Sequence, residues 1–361
     1  MSRIKALAEV VRQGGAEALL LIGEVDLIYA TGVTALEGHC IIFPDDTAVF
    51  ITDGRYIEYA EAKVAAQGIQ VLNRSSSESA IQVVGDLLKE RGVHRLMYED
   101  DVLTVKEFAA MRKHLEVDYI PVLQGITDLR ACKSDEETAY IEQAQRIAEQ
   151  ALAKLLPELK TGITEREAAA LLDYHMAVLG SEKPSFETIL LFGENTSKPH
   201  GVPSDRALKP GDFVLCDFGA VYHGYHSDMT RTFAYGSATD EMRTVYNTVL
   251  TAQSAAQEAA IAGNLCSNMH LAAAKVIEDA GYGEYFTHAL GHSVGLEIHE
   301  MPVASVRCDQ PLKPGVVMTD EPGIYLAGKF GVRIEDMLLI TDGAARNLTS
   351  FPKNLQILPE Q

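Results

Sequence analysis

Two aspartates stand in stretches of the sequence that otherwise have the pattern of buried strands. Asp217 lies in the apolar run FVLCDF, and Asp228 begins the next strand-like run after a connection with a turn composition. Apolar residues on both alternating sets are typical of a strand that is covered on both faces. Because Asp228 follows Asp217 by eleven positions, two antiparallel strands can bring both carboxylates to one face of a sheet. The sequence therefore predicts a buried carboxylate pair.

A second pair of acids has a similar setting. Glu321 and Glu335 lie in the apolar stretches MTDEPGIY and VRIEDMLLI, and His292 lies between the two pairs along the chain. Buried carboxylates must take up protons, pair with cationic side chains or bind a metal, because an uncompensated charge costs on the order of several kcal/mol. Four carboxylates and one imidazole describe a site for two divalent cations better than a proton-sharing dyad. Dinuclear metal hydrolysis is the leading interpretation.

The alternative is structural ion pairing inside a sheet, with Arg231 or Arg333 as the cation. Two arginines do not neutralise four buried carboxylates well, which disfavours this interpretation. Neighbouring strand residues face opposite ways, so only one of Glu335 and Asp336 can be a ligand. Oxygen-rich ligation with one imidazole suits Mn²⁺ or Co²⁺ better than a closed zinc site, although Zn²⁺ stays an alternative.

Five motifs occur in order along the second part of the chain: DFGA, SDMTRT, GHSVGLEIHE, EPGIY and VRIED. In order and spacing they resemble the creatinase/prolidase/methionine aminopeptidase family, whose catalytic domain has the pita-bread fold, and most of all its proline-peptidase branch. The resemblance implies two divalent metal ions that activate a water molecule, and it selects Glu335 over Asp336. The metal ligands that it implies are Asp217, Asp228, His292, Glu321 and Glu335.

Three histidines stand where the resembled family has its substrate-handling imidazoles. His200 lies in KPHG, and His288 and His299 flank His292. The resemblance implies that His288 and His299 hydrogen-bond the substrate carbonyl as negative charge develops on its oxygen, and that His200 helps to hold the proline.

Two further residues complete the predicted catalytic set. The resemblance implies that Glu321, besides binding metal, moves a proton from the nucleophile to the leaving nitrogen. Arg333 lies two residues before Glu335, on the same side of a strand, and we expect it to orient or neutralise that carboxylate. Tyr325, after the EPG motif, is a weaker candidate for a supporting role.

The segment GHSVG also matches G-x-S-x-G, the nucleophile elbow of α/β-hydrolases. That fold requires the order Ser, acid, His, but after Ser293 the chain offers only Glu297 before its last histidine, His299, and no helical pattern follows the serine. The hydrolase interpretation is therefore rejected. Ser293 and Phe192 depart from the residues usual in the resembled family, and we expect both side chains to touch the site and to alter rate or specificity.

Composition bounds the remaining possibilities. The chain has 361 residues, a net charge of −20 and 47% hydrophobic residues, which predicts two domains and disfavours nucleic-acid or anionic-membrane partners. The first twenty residues show no apolar secretory core, and no run approaches the length of a membrane span. Five scattered cysteines without a CxxC motif suit reduced thiols. We expect a cytoplasmic protein.

The pattern of elements gives the architecture that must position these residues. Residues 1–125 alternate apolar strands with amphipathic helices, which predicts an α/β N-terminal domain with a mixed sheet. Residues 126–361 form the predicted catalytic domain. Residues 122–133 are interpreted as the junction between the two domains. Helices near 134–157 and 164–179 precede the aspartates, and helices near 239–261 and 266–280 precede the glutamates. Ser134 with Glu137 predicts a capping box at the start of the first of these helices. The predicted fold is therefore an α+β pita-bread domain with pseudo-two-fold halves.

These expectations lead to an exopeptidase that hydrolyses Xaa-Pro bonds in small peptides. An Xaa-Pro dipeptidase is favoured, although Val303 stands where some prolidases have an arginine for the dipeptide carboxylate. An Xaa-Pro aminopeptidase acting on longer peptides is one alternative, and a non-catalytic binding module with the creatinase fold is the other. The resemblance also implies a homodimer, in which the loop of residues 33–39, with Glu37 and His39, would approach the partner's site.

Overall fold

Residues 2–361 are described by a computed structural model, apart from the side chains of Leu123 and Gln124. The chain divides into two compact units between Arg130 and Ala131. The predicted division into domains of residues 1–125 and 126–361 remains a proposal. No helix in the described part of the chain is long and apolar enough to cross a membrane.

A mixed sheet forms the centre of the first unit. Its strands are β1 (Ala18–Leu21), β2 (His39–Ile42), β3 (Ala48–Asp53), β4 (Gln70–Arg74), β5 (Arg95–Tyr98) and β6 (Asp118–Pro121), in the order β4-β3-β2-β1-β5-β6. β1 pairs antiparallel with β2 and parallel with β5, so the predicted mixed sheet is confirmed. The helices are α1 (Arg3–Gln13), α2 (Glu24–Thr31), α3 (Ile57–Lys63), α4 (Ala80–Glu90), α5 (Val105–His114) and α6 (Leu123–Ala131).

Four long helices shape the second unit, and the sequence predicted each of them. They are α7 (Asp135–Leu155), α8 (Glu165–Val178), α9 (Asp240–Ala259) and α10 (Cys266–Asp279). Ser134 begins α7 with the predicted capping box: its side chain accepts the N–H of Glu137, and the Glu137 carboxylate accepts the N–H of Ser134. Thr164 caps α8 in the same way.

The strands of the second unit form two larger sheets and two hairpins. The first sheet has the order β19-β11-β8-β7, the second has the order β13-β12-β14-β17-β18, and the hairpins are β9-β10 and β15-β16. The strands are β7 (Ile189–Phe192), β8 (Phe213–Phe218), β9 (Val221–Tyr222), β10 (Tyr225–His226), β11 (Met229–Tyr235), β12 (Gly291–Ser293), β13 (Glu300–Ala304), β14 (Val317–Asp320), β15 (Gly323–Leu326), β16 (Phe330–Arg333), β17 (Asp336–Leu339), β18 (Arg346–Asn347) and β19 (Ile357–Leu358).

Each larger sheet packs on its own pair of helices. One apolar core joins α7 and α8 to the sheet that contains β8 and β11, and a second core joins α9 and α10 to the sheet that contains β14 and β17. The same arrangement of two helices and a sheet therefore occurs twice along the chain. This repetition agrees with the predicted pseudo-two-fold halves of an α+β domain.

Candidate metal centre

The antiparallel pair β8 and β11 carries the two aspartates. In its register Asp217 lies opposite Thr230, and Asp228 immediately precedes β11. Side chains two residues apart on a strand share a face, so Asp228 lies diagonally across from Asp217 rather than directly opposite. Both side chains are buried. The sequence therefore predicted the shared face, and the structure gives the diagonal placement.

The two glutamates lie where strands of the second half end or change. Glu321 follows β14, and Glu335 lies between β16 and β17. A hydrogen bond of 3.1 Å from the backbone N–H of Glu335 to the carbonyl of Thr230 joins this junction to β11. The Thr230 hydroxyl also donates to the Glu335 carboxylate over 2.6 Å. The two halves of the unit thus meet at Thr230.

These connections gather the acids around one point. Carboxylate oxygens of Asp217, Asp228 and Glu335 lie within 4.8 Å of one another. Nε2 of His292 lies 3.6 Å from Oδ2 of Asp228 and 3.5 Å from Oε1 of Glu321. All five residues predicted as metal ligands therefore lie close together, although they come from separate strands and loops.

The electrostatics of this group favour the uncharged forms in the absence of a cation. Burial raises the pKa of Asp228 and of Glu335 well above the usual carboxyl range, and the neighbouring carboxylates raise it further. Burial also raises the pKa of Glu321 to about 8, against the effect of the nearby Arg333 guanidinium. Burial, together with His299, lowers the pKa of His292 to about 4. The site therefore combines several acids with a neutral imidazole.

The donor set fits divalent metal ions. Oδ1 of Asp228 and Oε1 of Glu335 are buried and have no hydrogen-bond partner among the described residues. Buried polar atoms are almost always satisfied, so these two oxygens indicate a missing partner. Oxygen donors in excess of one imidazole nitrogen suit hard or borderline divalent cations, whose charge would also favour the ionised carboxylates.

Arg333 makes its ion pair with Asp217 and not with Glu335, the carboxylate that its position in the sequence indicated. Its Nη2 lies 2.5 Å from Oδ2 of Asp217, while Nε donates to the Thr230 hydroxyl over 3.0 Å. Arg333 ends β16, and the chain leaves the strand before Glu335, so the two side chains do not stay side by side as in a continuous strand. The arginine consequently holds the first aspartate directly and Glu335 through Thr230.

Tyr325 and His288 continue this network. Nη1 of Arg333 donates to the Tyr325 hydroxyl over 2.7 Å, and Nε2 of His288 lies 3.0 Å from the same hydroxyl. Burial, with the nearby arginine, lowers the pKa of His288 to about 4. The His288 ring is therefore neutral near pH 7 and is held in place through Tyr325.

A cavity of about 510 Å³ opens beside the carboxylate group. His200, His288 and His299 all line it, and the His299 ring packs edge-on against His292 with 4.3 Å between ring centroids. Val303 also lines the cavity, at the position where some prolidases have an arginine for the dipeptide carboxylate. Every residue of the predicted site is thus at or beside this cavity.

Phe192 and Ser293, the two residues that depart from the family pattern, do not line the cavity. The Phe192 side chain is fully buried in the core around α7 and α8, and it does not line the cavity. Ser293 is also fully buried, with its hydroxyl donating to the carbonyl of Pro302 over 2.9 Å. The expectation that both side chains touch the site is wrong for this reason, and Ser293 is not exposed as a nucleophile elbow requires.

Asp336 and Glu335 turn to different surroundings, as the strand alternation predicted. Asp336 forms a buried ion pair of 2.7 Å with Arg231, and Lys353 lies 3.1 Å from its other oxygen. The structural ion pair considered for Arg231 therefore exists, but it neutralises the acid that faces away from the cluster.

Sequence reasoning missed two threonines of the site. Thr230 connects Arg333 to Glu335, and the Thr319 hydroxyl accepts the N–H of His292 over 3.0 Å and lies 3.1 Å from Oε1 of Glu321. Each threonine lies two residues from an acid of the cluster, Asp228 or Glu321. Such a spacing within a strand-like run could have identified them.

Comparison with known proteins assigns the chain to a family. The sequence profile of metallopeptidase family M24 matches residues 139–342, and that of the creatinase/prolidase N-terminal domain matches residues 3–132. The chain belongs to metallopeptidase family M24. The prediction of a metallopeptidase is thereby confirmed, together with the predicted family, and the family implies divalent metal ions.

Individual relatives agree with this assignment over nearly the whole chain. The Xaa-Pro dipeptidase of Pyrococcus furiosus is 36% identical over 353 residues, which are 98% of this M24 chain and 99% of the relative. The structure of an Xaa-Pro dipeptidase from Bacillus anthracis is 36% identical, has a TM-score of 0.94 and covers 99% of both chains. That of an X-Pro aminopeptidase from Thermotoga maritima is 32% identical, has a TM-score of 0.92 and covers 97% of this chain and 99% of the other. The chain is thus a prolidase-type M24 peptidase with the predicted pita-bread fold.

Proposed function

We propose that this M24 peptidase is an Xaa-Pro dipeptidase that uses two divalent metal ions. The observation that carries the proposal is the convergence of Asp217, Asp228 and Glu335 within 4.8 Å, with His292 and Glu321 beside them. Two buried oxygens without partners support the need for cations at this point. The relatives named Xaa-Pro dipeptidases supply the substrate class.

The residues that would hold the ions are Asp217, Asp228, His292, Glu321 and Glu335. When bound, such ions polarise a carbonyl group and lower the pKa of a water molecule. Mn²⁺ or Co²⁺ suits this oxygen-rich donor set best, with Zn²⁺ as the alternative. Arg333 keeps Asp217 in place through a bond of 2.5 Å, and Thr230 keeps Glu335 in place through one of 2.6 Å.

The other residues of the cavity act on the substrate. His299 donates a hydrogen bond to the carbonyl oxygen of the scissile bond, where negative charge develops in the transition state. The neutral His288 ring donates its one N–H, on Nδ1, to the carbonyl of Ala289 over 2.7 Å and accepts the Tyr325 hydroxyl at Nε2, so it positions Tyr325 beside the substrate. Glu321 accepts a proton from the attacking water and delivers it to the leaving proline nitrogen. His200, on the same cavity wall, contacts the proline ring.

An Xaa-Pro aminopeptidase is the second candidate, and one observation favours it. Val303 lines the cavity, while Arg333, the arginine of the described lining, is already bonded to Asp217 and Tyr325. A dipeptide carboxylate therefore has no uncommitted arginine among these lining residues. The likeness to the X-Pro aminopeptidase of Thermotoga maritima is also high, with a TM-score of 0.92.

Rates on matched substrates separate the two candidates. Purified protein is loaded with Mn²⁺, Co²⁺ or Zn²⁺ and assayed with Leu-Pro and with Leu-Pro-Gly. Faster cleavage of Leu-Pro supports the dipeptidase, and faster cleavage of Leu-Pro-Gly supports the aminopeptidase. Cleavage of neither peptide with any of the ions contradicts the proposal. A ratio near two ions per chain at full activity supports the dinuclear site.

The assembly and the compartment are also proposals. We propose a homodimer in which the loop that carries Glu37 and His39 approaches the partner's site. Sedimentation of the intact protein tests this assembly. In the structure Glu37 pairs with Arg55 over 2.9 Å, and both residues line a cavity of the first unit with His39. A cytoplasmic location is supported by the free cysteines, Cys40, Cys132, Cys216, Cys266 and Cys308.

A further inference from the structure

Glu187 lines the cavity but lies outside the carboxylate cluster. It precedes β7 by two residues, and the first residue of that strand, Ile189, pairs directly with Asp217 of β8. Ile189 and Glu187 both line the cavity. The segment that leads into β7 therefore forms the wall of the cavity next to Asp217, and Glu187 is the acidic residue of that wall.

The neighbours of Glu187 hold this segment in place. The N–H of Ser185 donates to the carbonyl of Gly219 over 2.9 Å, and the Thr188 hydroxyl donates to the Asp173 carboxylate over 2.5 Å. Ser185 and Thr188 are buried, whereas Glu187 is exposed and makes no hydrogen bond or ion pair with another described residue. The backbone is thus anchored on both sides of a carboxylate that is free to meet a ligand.

The described lining of the cavity gives this carboxylate no counterion. It contains no lysine, and its arginine, Arg333, is bonded to Asp217, Thr230 and Tyr325. Besides the carboxylates and histidines of the metal centre, the lining contains the apolar residues Phe186, Val202, Pro203, Ile298 and Val303. An exposed carboxylate still attracts a cationic group of the substrate, although solvent and salt screen the attraction.

We propose that Glu187 is a specificity-determining residue that favours peptides with a lysine or arginine side chain immediately before proline, an inference that rests on the proposed Xaa-Pro hydrolysis. An extended chain advances about 3.3 Å per residue, so the two residues from Ile189, which pairs with Asp217, to Glu187 span at most about 7 Å. A long side chain can span that distance. In an Xaa-Pro dipeptide the α-ammonium group is common to every substrate, so the Xaa side chain is the group that Glu187 distinguishes.

Lys-Pro and norleucine-Pro form a matched pair of substrates, because their side chains differ only in the terminal ammonium group. The ratio of their kcat/KM values is measured for the wild type, Glu187→Gln and Glu187→Lys. An ion pair at a partly exposed site is worth about 1 kcal/mol at most, so the ratio should fall roughly fivefold in Glu187→Gln. It should fall further in Glu187→Lys. The wild-type ratio should also decrease as salt is added, because ions screen an exposed pair.

Glu284→Gln is the control, since Glu284 is an exposed acid of the same unit that does not line the cavity. Its Lys-Pro to norleucine-Pro ratio should equal that of the wild type. Equal ratios in the wild type, Glu187→Gln and Glu187→Lys would overturn the role of Glu187 while leaving Xaa-Pro hydrolysis intact. A metal-loaded wild type that cleaves neither dipeptide would instead contradict the proposed function, and the inference about Glu187 would fall with it.

Discussion

Arg333 and Asp217 form a buried ion pair with 2.5 Å between Nη2 and Oδ2. The guanidinium uses its two other nitrogens for Thr230 and Tyr325, so three separate groups fix its position. Planar, multiply bonded arginines are not replaced well by lysine, whose single ammonium group cannot reach three acceptors in a fixed fork. This pair connects the carboxylate cluster to the wall that carries His288.

Replacement of Arg333 by lysine tests this connection. Arg333→Lys keeps the positive charge but releases Tyr325 and Thr230, so we expect kcat to fall roughly 10²-fold, the scale of a small misplacement of catalytic groups. Metal content and kcat are measured on the same preparation. Arg206→Lys is the matched control, because Arg206 pairs with Asp212 and Glu194 outside the cavity and should retain activity. Full activity in Arg333→Lys would show that the fork geometry is dispensable.

Asp228 provides the test of the metal site itself. Its Oδ1 is buried without a partner among the described residues, so Asp228→Ala removes a donor that no neighbouring side chain replaces. We expect bound metal and activity to be lost together. Metal analysis by atomic emission and a peptidase assay check this, with Asp205→Ala at an exposed ion pair as the control. A folded Asp228→Ala protein with normal metal content and turnover would refute the dinuclear site.

His288 has a different predicted role, and its variant should behave differently. The ring contacts Tyr325 and lines the cavity, whereas the carboxylate cluster is completed by His292. His288→Ala should therefore retain its metal but lose roughly 10²-fold in kcat, the scale of a small misplacement of catalytic groups, because the Tyr325 hydroxyl loses its acceptor. His175→Ala, at a histidine that pairs with Glu158, is the control. Loss of metal from His288→Ala would mean that the roles of His288 and His292 are assigned the wrong way round.

The sequence predicted most of the site because its chemistry is carried by acids in apolar strands. Asp217, Asp228, Glu321 and Glu335 were conspicuous for that reason. Strand alternation indicated that only one of Glu335 and Asp336 could be a ligand, and the family resemblance selected Glu335. The sequence did not reveal which side chain each arginine contacts, since that depends on the pairing of distant strands. Arg333 thus reaches Asp217, more than a hundred residues away, instead of its near neighbour Glu335.

For the fold as well, the features that depend on neighbouring residues were predicted, whereas those that depend on distant contacts were not. Helix α7 was predicted from its own capping box at Ser134 and its apolar spacing, both of which are local. Helices α2 and α6 were not predicted, because Gly23 precedes α2 without a side-chain cap and α6 lies in a segment interpreted as a junction. Phe192 was misplaced for a related reason: its position beside the site in sequence does not determine which face of β7 it occupies. Its side chain belongs to the core around α7 and α8.

A buried acid in the first unit leads to a prediction about stability and pH. Glu99 is fully buried beside Asp26, and its Oε2 accepts the backbone N–H groups of Ile22 and Gly23. Burial raises the pKa of Glu99 from 4.5 to about 8, and burial also raises the pKa of Asp26, although Arg130 lies 3.0 Å from it. The folded unit therefore keeps a proton that the unfolded chain releases near pH 4.5.

The sign of the pH dependence follows from this raised pKa. The stabilising contribution of protonated Glu99 is complete below pH 4.5 and is lost as the pH rises towards 8, because ionisation then places a charge in an apolar interior. Glu99→Gln cannot ionise and should remove this loss, which is on the order of a few kcal/mol. Urea unfolding of the first unit is measured at pH 5 and pH 8 for the wild type, Glu99→Gln and the exposed control Glu90→Gln. The wild type and Glu90→Gln should be less stable at pH 8 than at pH 5, whereas Glu99→Gln should show a smaller difference. An equal difference in all three proteins would mean that Glu99 does not retain its proton in the folded chain.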